Sequence, residues 1–203
     1  MGFAAAFILQ QPDFKRMLAY SSVEHMGILA LGVGLGGAAV FAAMFHAVNH
    51  SLTKGMLFLI AGNILSTMRT KTSLDIRGLS HLIPVSAGLW MAGFLAITGS
   101  PPFGTFLSEF SILKSATEQG HYAVAITYLI ILSVIFIAMA SIVGRMVQGV
   151  PLRGNVSSPN REPWLMILPP LLLCILMVIL GVYMPPSLER LLHGAASGLG
   201  GTS

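Results

Sequence analysis

A lysine in the middle of a long apolar run leaves a chain few ways to fold. Between Ala38 and Leu65 the only formally charged residue is Lys54. An ammonium at the centre of a membrane-length helix costs about 2.5–3.5 kcal/mol on insertion scales, so its position needs a reason. Two histidines precede it at steps of four, His46 and His50. Residues four apart share one stripe of a helix, and the three side chains climb about 12 Å along that stripe. A lysine at such depth either snorkels to an interface or serves the interior, and its central position favours the interior.

The whole chain repeats the pattern of apolar runs broken by short polar loops. Of its 203 residues, 55% are hydrophobic and 9% charged, against about 25% charged in a soluble domain. Several runs exceed the ~18 residues of a membrane-spanning helix, which predicts an all-α polytopic membrane protein. The net charge of +4 then reports loop residues that set topology, not a nucleic-acid surface. The single cysteine, Cys174, lies within an apolar run and reads as a small packing residue. The 12 methionines are scattered rather than grouped as metal ligands.

Taken in order, Met1–Leu9 is apolar, too short to span, and lacks a signal peptide's basic start. It reads as the end of a helix whose beginning is missing. Full spans are expected from about Met17 to Gly36 and from Ala38 to about Leu65, with Gly36-Gly37 as a tight joint. Counted outward from that joint, Glu24 and its neighbour His25 lie at about the depth of His50. Ser66–His81 is a polar loop holding Arg69, Lys71 and Arg77. Tyr122–Val147 is a further span, and Gln148–Pro163 is a loop carrying Arg153 and Arg161. Trp164–Tyr183 is the last span, its terminal aromatics placed as an interfacial belt would place them, with a kink expected at Pro169-Pro170. Residues 185–203 form a short amphipathic tail, and residues 1–203 read as a single membrane domain.

Pro84–Thr98 and Thr105–Thr117 are apolar segments separated by Gly99-Ser-Pro-Pro-Phe-Gly104. They are two crossings or two halves of one broken crossing. With one crossing, Lys15/Arg16, Arg69/Lys71/Arg77 and Arg145/Arg153/Arg161 share a side, and the positive-inside rule favours that arrangement. It predicts five crossings, one of them discontinuous, with basic loops in the cytoplasm and the C-terminus outside. Freed backbone at a break is tolerated where protein or a water-filled cavity surrounds it.

The ionisable residues each allow a plain reading. Glu109, just after the break, suits the N-terminal dipole of the helix starting at Gly104. Alternatively, with Lys54, it belongs to a set of groups able to pass protons. His46 and His50 serve as interhelical hydrogen-bond partners or as two zinc ligands, for which only Glu24 or His25 is an obvious third; no metal site is assigned on that basis. Glu24 and His25 are a structural polar pair or part of the same set. Lys114, Glu118 and His121 fall near a membrane surface.

Three ordered motifs carry a resemblance. Asp13-Phe-Lys-Arg-Met-Leu-Ala-Tyr-Ser-Ser22, His46–Lys54 followed by Gly55-Met-Leu-Phe-Leu-Ile-Ala-Gly62, and Gly99-Ser-Pro-Pro-Phe-Gly-Thr-Phe-Leu-Ser-Glu109-Phe resemble the second half of the antiporter-like proton-conducting membrane subunits. That family includes complex I membrane subunits, Mrp-type antiporter subunits and group 4 hydrogenase subunits. Val23-Glu24-His25-Met26 brings the likeness nearest to the hydrogenase-4 component F type. The resemblance implies that Lys54 is the central lysine of a proton path, with His46 and His50 as its partners. It implies that Glu109 is the ionisable residue of the broken helix, and Glu24 and His25 join the candidate path. The family's earlier half has no counterpart here, so the chain is expected to be the C-terminal portion of such a subunit.

The implied function is a proton-translocating, non-catalytic membrane subunit of a group 4 NiFe-hydrogenase or formate hydrogenlyase-type complex. The alternative is a subunit of a multisubunit Na⁺/H⁺ antiporter or of a complex I-like NADH-quinone oxidoreductase. Neither reading implies a cofactor held by this chain, whose sequence has no Cys cluster, haem motif or nucleotide-binding loop. The expected partners are other membrane subunits, the lipid bilayer and protons, in the bacterial or archaeal cytoplasmic membrane.

Overall fold

Two consecutive glycines with positive φ, Gly36 at 72° and Gly37 at 56°, turn the chain between its first two long helices. The computed structural model describes residues 1–150 and 162–200. A short helix α1 (Gly2–Leu9) precedes α2 (Phe14–Leu35), which packs along α3 (Ala38–Met68). A 3-10 turn (Ser73–Asp75) and the four-residue α4 (Leu79–Leu82) lead into α5 (Pro84–Ile97) and α6 (Gly104–Glu118). Then come α7 (Tyr122–Val147), α8 (Trp164–Val182) and α9 (Pro186–Ser197). Arg153 and Arg161 lie outside the described residues.

The ends differ from the sequence reading by a few residues, each for a local reason. Helix α2 starts before Met17 because Asp13 caps it, its carboxylate accepting from the Lys15 and Arg16 amides at 2.8 and 3.1 Å. Helix α3 runs on to Met68 and is closed by Arg69 in the left-handed conformation, φ 55°. Pro169 and Pro170 lie within α8, which continues through them. The polar stretch before α5, a loop by its sequence pattern, carries the 3-10 turn and α4.

Register along α3 decides between a hairpin and one broken crossing. Asn63 of α3 faces Ser86, Leu57 lies against Gly93, Asn49 against Gly104, His46 bonds Ser108, and Ala43 lies beside the Gly32–Ile112 contact. As α5 and then α6 advance, the α3 partner falls steadily from 63 to 43. The two pieces are therefore one discontinuous column antiparallel to α3, covering about 30 Å at helical rise, the thickness of a bilayer core. Backbone groups at the break find partners. Ser100 N–H donates to Leu95 O at 2.9 Å, Thr98 Oγ1 to Phe94 O at 2.9 Å, and Thr105 Oγ1 to Ala96 O.

Helix α8 also runs antiparallel to α3, with Asn63 donating to Met166 O at one end and Thr53 meeting Met177 further along. Helix α7 runs the other way, from Tyr128 beside Ile112 to Gln148, whose carbonyl accepts from Gly78 N–H. The basic loops meet at one end of the bundle. Phe14 N–H donates to Lys71 O, Ser73 N–H to Pro12 O, and Gly78 N–H to Gln148 O. Gly36-Gly37, Gly120 and Tyr183 mark the other end, where His193 of α9 stacks on Phe41 at 4.4 Å.

Three helices, Phe14–Leu35, Tyr122–Val147 and Trp164–Val182, are long and apolar enough to cross a membrane by composition, and Pro84–Ile97 is a shorter apolar helix. Helix α3 is sheathed by α2, by α5 with α6, and by α8. Outward-facing Ile126, Ile130, Ile137, Leu165, Leu172 and Val182 give the bundle an apolar exterior suited to lipid. Trp164 and Tyr183 are exposed at the two ends of α8, as an interfacial belt requires. The described residues form an all-α polytopic membrane fold; their only β feature is an isolated bridge, Asp13–Thr72.

Candidate functional site

The polar centre forms where α2, α3 and the break between α5 and α6 converge. Each contributing helix buries ionisable side chains there: Glu24 and His25 from α2, His46, His50 and Lys54 from α3, and Glu109 from α6. The depth counted from the Gly36-Gly37 joint holds, since the His25 ring stands 4.6 Å from that of His50. Glycine makes the close approach possible at two points. A Cβ at Gly99, φ 62°, would run into the Glu109 carboxylate, and one at Gly104 would run into the Asn49 amide.

His25 joins the histidines of α3. Its Nδ1 lies 2.9 Å from His46 Nε2, while His46 and His50 themselves are 6.3 Å apart between ring centroids. The four-residue stripe is thus connected through α2 rather than directly along α3. His46 Nδ1 lies 2.9 Å from Ser108 Oγ, whose hydroxyl donates to Thr105 O at 2.8 Å. Ser108 therefore accepts from His46 Nδ1–H, which leaves His46 Nε2 to accept from His25 Nδ1–H. His25 Nε2 then faces Glu24 Oε2 at 3.4 Å, and one proton suffices for that pair. The Ile97 carbonyl at the end of α5 also faces the His25 ring.

Lys54 lies one turn below His50 and points to α2. Its ammonium donates to Leu18 O and to Ser21 Oγ, whose hydroxyl in turn donates to Leu18 O at 3.0 Å. Lys54 is buried, so the interior reading of the sequence holds over snorkelling. Glu24 is the acidic group that acts on it electrostatically.

Glu109 folds back over the break toward Gly99. Its Oε1 has no protein partner, and neither do Glu24 Oε1 or His50 Nδ1. A cavity of about 200 Å³ reaches Glu109 between α6 and α7, with Thr98, Gly99, Phe110 and Tyr128 in its wall. The third residue beside His25 and His46 is Glu109, whose carboxylate, with one nitrogen of each ring, keeps all separations within 4.8 Å. The sequence pattern instead offers His25 or Glu24 as the third ligand to His46 and His50.

Sequence reasoning missed Ser21, Ser108 and Thr105, which hold Lys54 and His46 in place, and Glu162. The signal available for the first three was a hydroxyl residue beside an ionisable one inside an apolar run. Glu162 gave no such signal. It accepts from the Val85 and Ser86 amides at 2.8 and 2.9 Å and so caps α5 from a distant loop. Lys114 and Glu118 form an exposed i,i+4 pair at 3.6 Å, away from the centre.

Comparison with known proteins follows the same lines as the geometry. Residues 1–137 match the family described as NADH:quinone oxidoreductase/Mrp antiporter, TM. The chain is 39% identical over 188 residues to the hydrogenase-4 component F homolog of Methylacidiphilum infernorum, an alignment covering 91% of this chain and 38% of that relative. It superposes with a TM-score of 0.80 and 26% identity on a chain of respiratory complex I from Thermus thermophilus, covering 98% of this chain and 42% of that one. A chain of the Mrp complex from Dietzia sp. gives a TM-score of 0.82 at 20% identity, covering 97% and 44%. This chain spans well under half the length of these relatives. Over that span, both fold and sequence place it in one group: the chain belongs to the NADH:quinone oxidoreductase/Mrp antiporter transmembrane family.

Proposed function

We propose that the chain is the proton-translocating, non-catalytic membrane part of a hydrogenase-4 or formate hydrogenlyase-type complex in a bacterial or archaeal cytoplasmic membrane. Redox chemistry belongs to partner subunits, and residues 1–203 act as one membrane domain. The observation that supports the reading is the run of buried side chains Ser108, His46, His25 and Glu24, with the Ser108 hydroxyl anchored on Thr105 O. Every junction in it is a hydrogen bond or a close acid–base contact. Protons advance along such a line as each ring takes one on one nitrogen and releases one from the other. Lys54 would load or empty the line near Glu24, and Glu109 would continue it toward the cavity beside Tyr128.

Substitution of Lys54 in the assembled complex tests the reading. Arginine keeps the charge but effectively never releases its proton, and methionine removes the charge. Both Lys54→Arg and Lys54→Met are expected to abolish redox-coupled proton movement while hydrogen chemistry with artificial electron carriers persists. Wild-type proton movement in the Lys54→Arg complex, at normal subunit levels, would remove Lys54 from the path.

A complex I-like or antiporter assembly is the second reading, favoured by the match to a respiratory complex I chain at 26% identity over nearly the whole chain. Subunits that copurify with the chain separate the two: hydrogenase large and small subunits support the first, NADH-oxidising or antiporter subunits the second.

A further inference from the structure

Both histidines of the central pair are held by their outer nitrogens, and their inner nitrogens face each other at 2.9 Å. His46 Nδ1 is fixed by Ser108, and His25 Nε2 faces the Glu24 carboxylate, so His46 Nε2 and His25 Nδ1 are left facing each other. Metal-binding histidines are oriented in this way, one nitrogen on the metal and the other anchored to a carboxylate or hydroxyl. The Glu109 carboxylate enters from a third helix, is buried, and has an oxygen without a protein partner. We propose that His25, His46 and Glu109 form a reversible zinc site across α2, α3 and α6, with a water or hydroxide as fourth ligand.

The donor set is two imidazoles and one carboxylate, which suits zinc with an open fourth position. A tetrahedral ion with ligand distances of about 2.0–2.2 Å holds its donors roughly 3.3–3.5 Å apart. The two nitrogens, at 2.9 Å, need to open slightly. A Glu109 oxygen already lies within 4.8 Å of one nitrogen of each ring, and Glu109, with an oxygen that has no protein partner, is the member free to move in. Binding requires both facing nitrogens as lone pairs. The proton on His25 Nδ1 therefore leaves, while His25 Nε2–H donates to the Glu24 carboxylate and His46 Nδ1–H still donates to Ser108.

The consequence for transport rests on the proton path proposed above. Zinc would occupy the nitrogens that exchange protons and would pin the broken helix to α2 and α3, so it would act as a blocker.

The test uses the full 203-residue chain in detergent, stripped with chelator and titrated with zinc alone against a chromophoric competitor. One equivalent is expected to bind the wild type, binding is expected to be lost in Glu109→Gln and in His46→Gln, and Ser108→Ala should bind about 10–100-fold more weakly. Exposed His121 and His193 provide surface controls, and their glutamine variants should bind as the wild type does. Cobalt in the wild-type chain gives a second readout that needs no variant to fold: intense visible bands indicate four-coordination, weak ones six-coordination. Failure of the wild type to bind, six-coordinate cobalt, or unchanged binding in Glu109→Gln would each overturn the site. In the assembled complex, zinc bound at one equivalent without slowing proton movement would instead overturn the proton path and leave the site standing.

Discussion

Adding one methyl group at the break should show whether Glu109 is held or free. Gly99 has φ 62°, and its Cβ would occupy the space of the Glu109 carboxylate. Gly99→Ala therefore carries two costs. The left-handed backbone costs a non-glycine residue about 1–2 kcal/mol, and overpacking adds about 1–3 kcal/mol where the neighbour cannot yield. Here the neighbour is the far end of a long side chain with an unbonded oxygen, so the second cost should be small and the total about 1–3 kcal/mol. Gly120→Ala separates the two, since Gly120 has φ 78° with nothing within 4 Å of its Cβ. Denaturant titration of both variants in detergent gives the difference directly. Proton movement in the assembled complex gives the functional side, where Gly99→Ala should be impaired by displacement of Glu109 and Gly120→Ala should not. Equal proton movement in the two variants would refute the idea that Glu109 works from its place over the break. A stability difference between the two variants above about 1 kcal/mol would refute its freedom to yield.

Glu162→Ala should cost about 0.5–2 kcal/mol, the range for losing a helix cap, and should speed hydrogen exchange at the Val85 and Ser86 amides while leaving α6 unchanged. Lys114→Ala removes an exposed i,i+4 pair and should change stability by no more than about 0.5 kcal/mol in the same titration. Reporter fusions check the crossing number. One between Thr70 and Ser73 and one after Gln148 should both behave as cytoplasmic and one after Gly198 as extracytoplasmic, because Ser73 N–H meets Pro12 O and Gly78 N–H meets Gln148 O at the same end of the bundle. Reporters on opposite sides at Thr70 and Gln148 would discard the single broken crossing.

What could be read from the sequence was position along the helix axes. Rise per residue is fixed, so counting from Gly36-Gly37 placed His25 level with His50, and the apolar run Tyr122–Val147 had the bounds that the helix has. Azimuth was not legible, because rotation about an axis is set by packing between distant segments. That is why His25 Nδ1 meeting His46 Nε2, and Glu109 rather than Glu24 completing the group with the two rings, emerged only with the fold. Glu162 illustrates the same limit at longer range, since its partners are 76 and 77 residues away. Loop charge reached further than pattern, because one membrane imposes a common side on remote basic residues, and the register of α5 and α6 along α3 agrees with it.

The bundle divides its buried polar groups into two kinds, and the division bears on function. Hydroxyls such as Ser21, Thr53, Thr105 and Ser108 donate to helix carbonyls and so cost little inside an apolar bundle. Glu24 Oε1, His50 Nδ1 and Glu109 Oε1 have no protein partner, and an unmet buried polar atom costs about 1–3 kcal/mol. If the polar centre only joined helices, those groups would be the first to be replaced by leucine or methionine at a gain in stability. They instead lie around the break in the column, where His25 and His46 pass a hydrogen bond between α2 and α3. Asn49 Oδ1 beside Gly104 and Tyr128 OH in the cavity wall beside Glu109 are unmet as well, whereas Trp90 Nε1, on α5 against Phe14, is an unmet group away from the break. A group that must accept and release a proton needs such an open valence, so the cost falls on the residues proposed to move the charge.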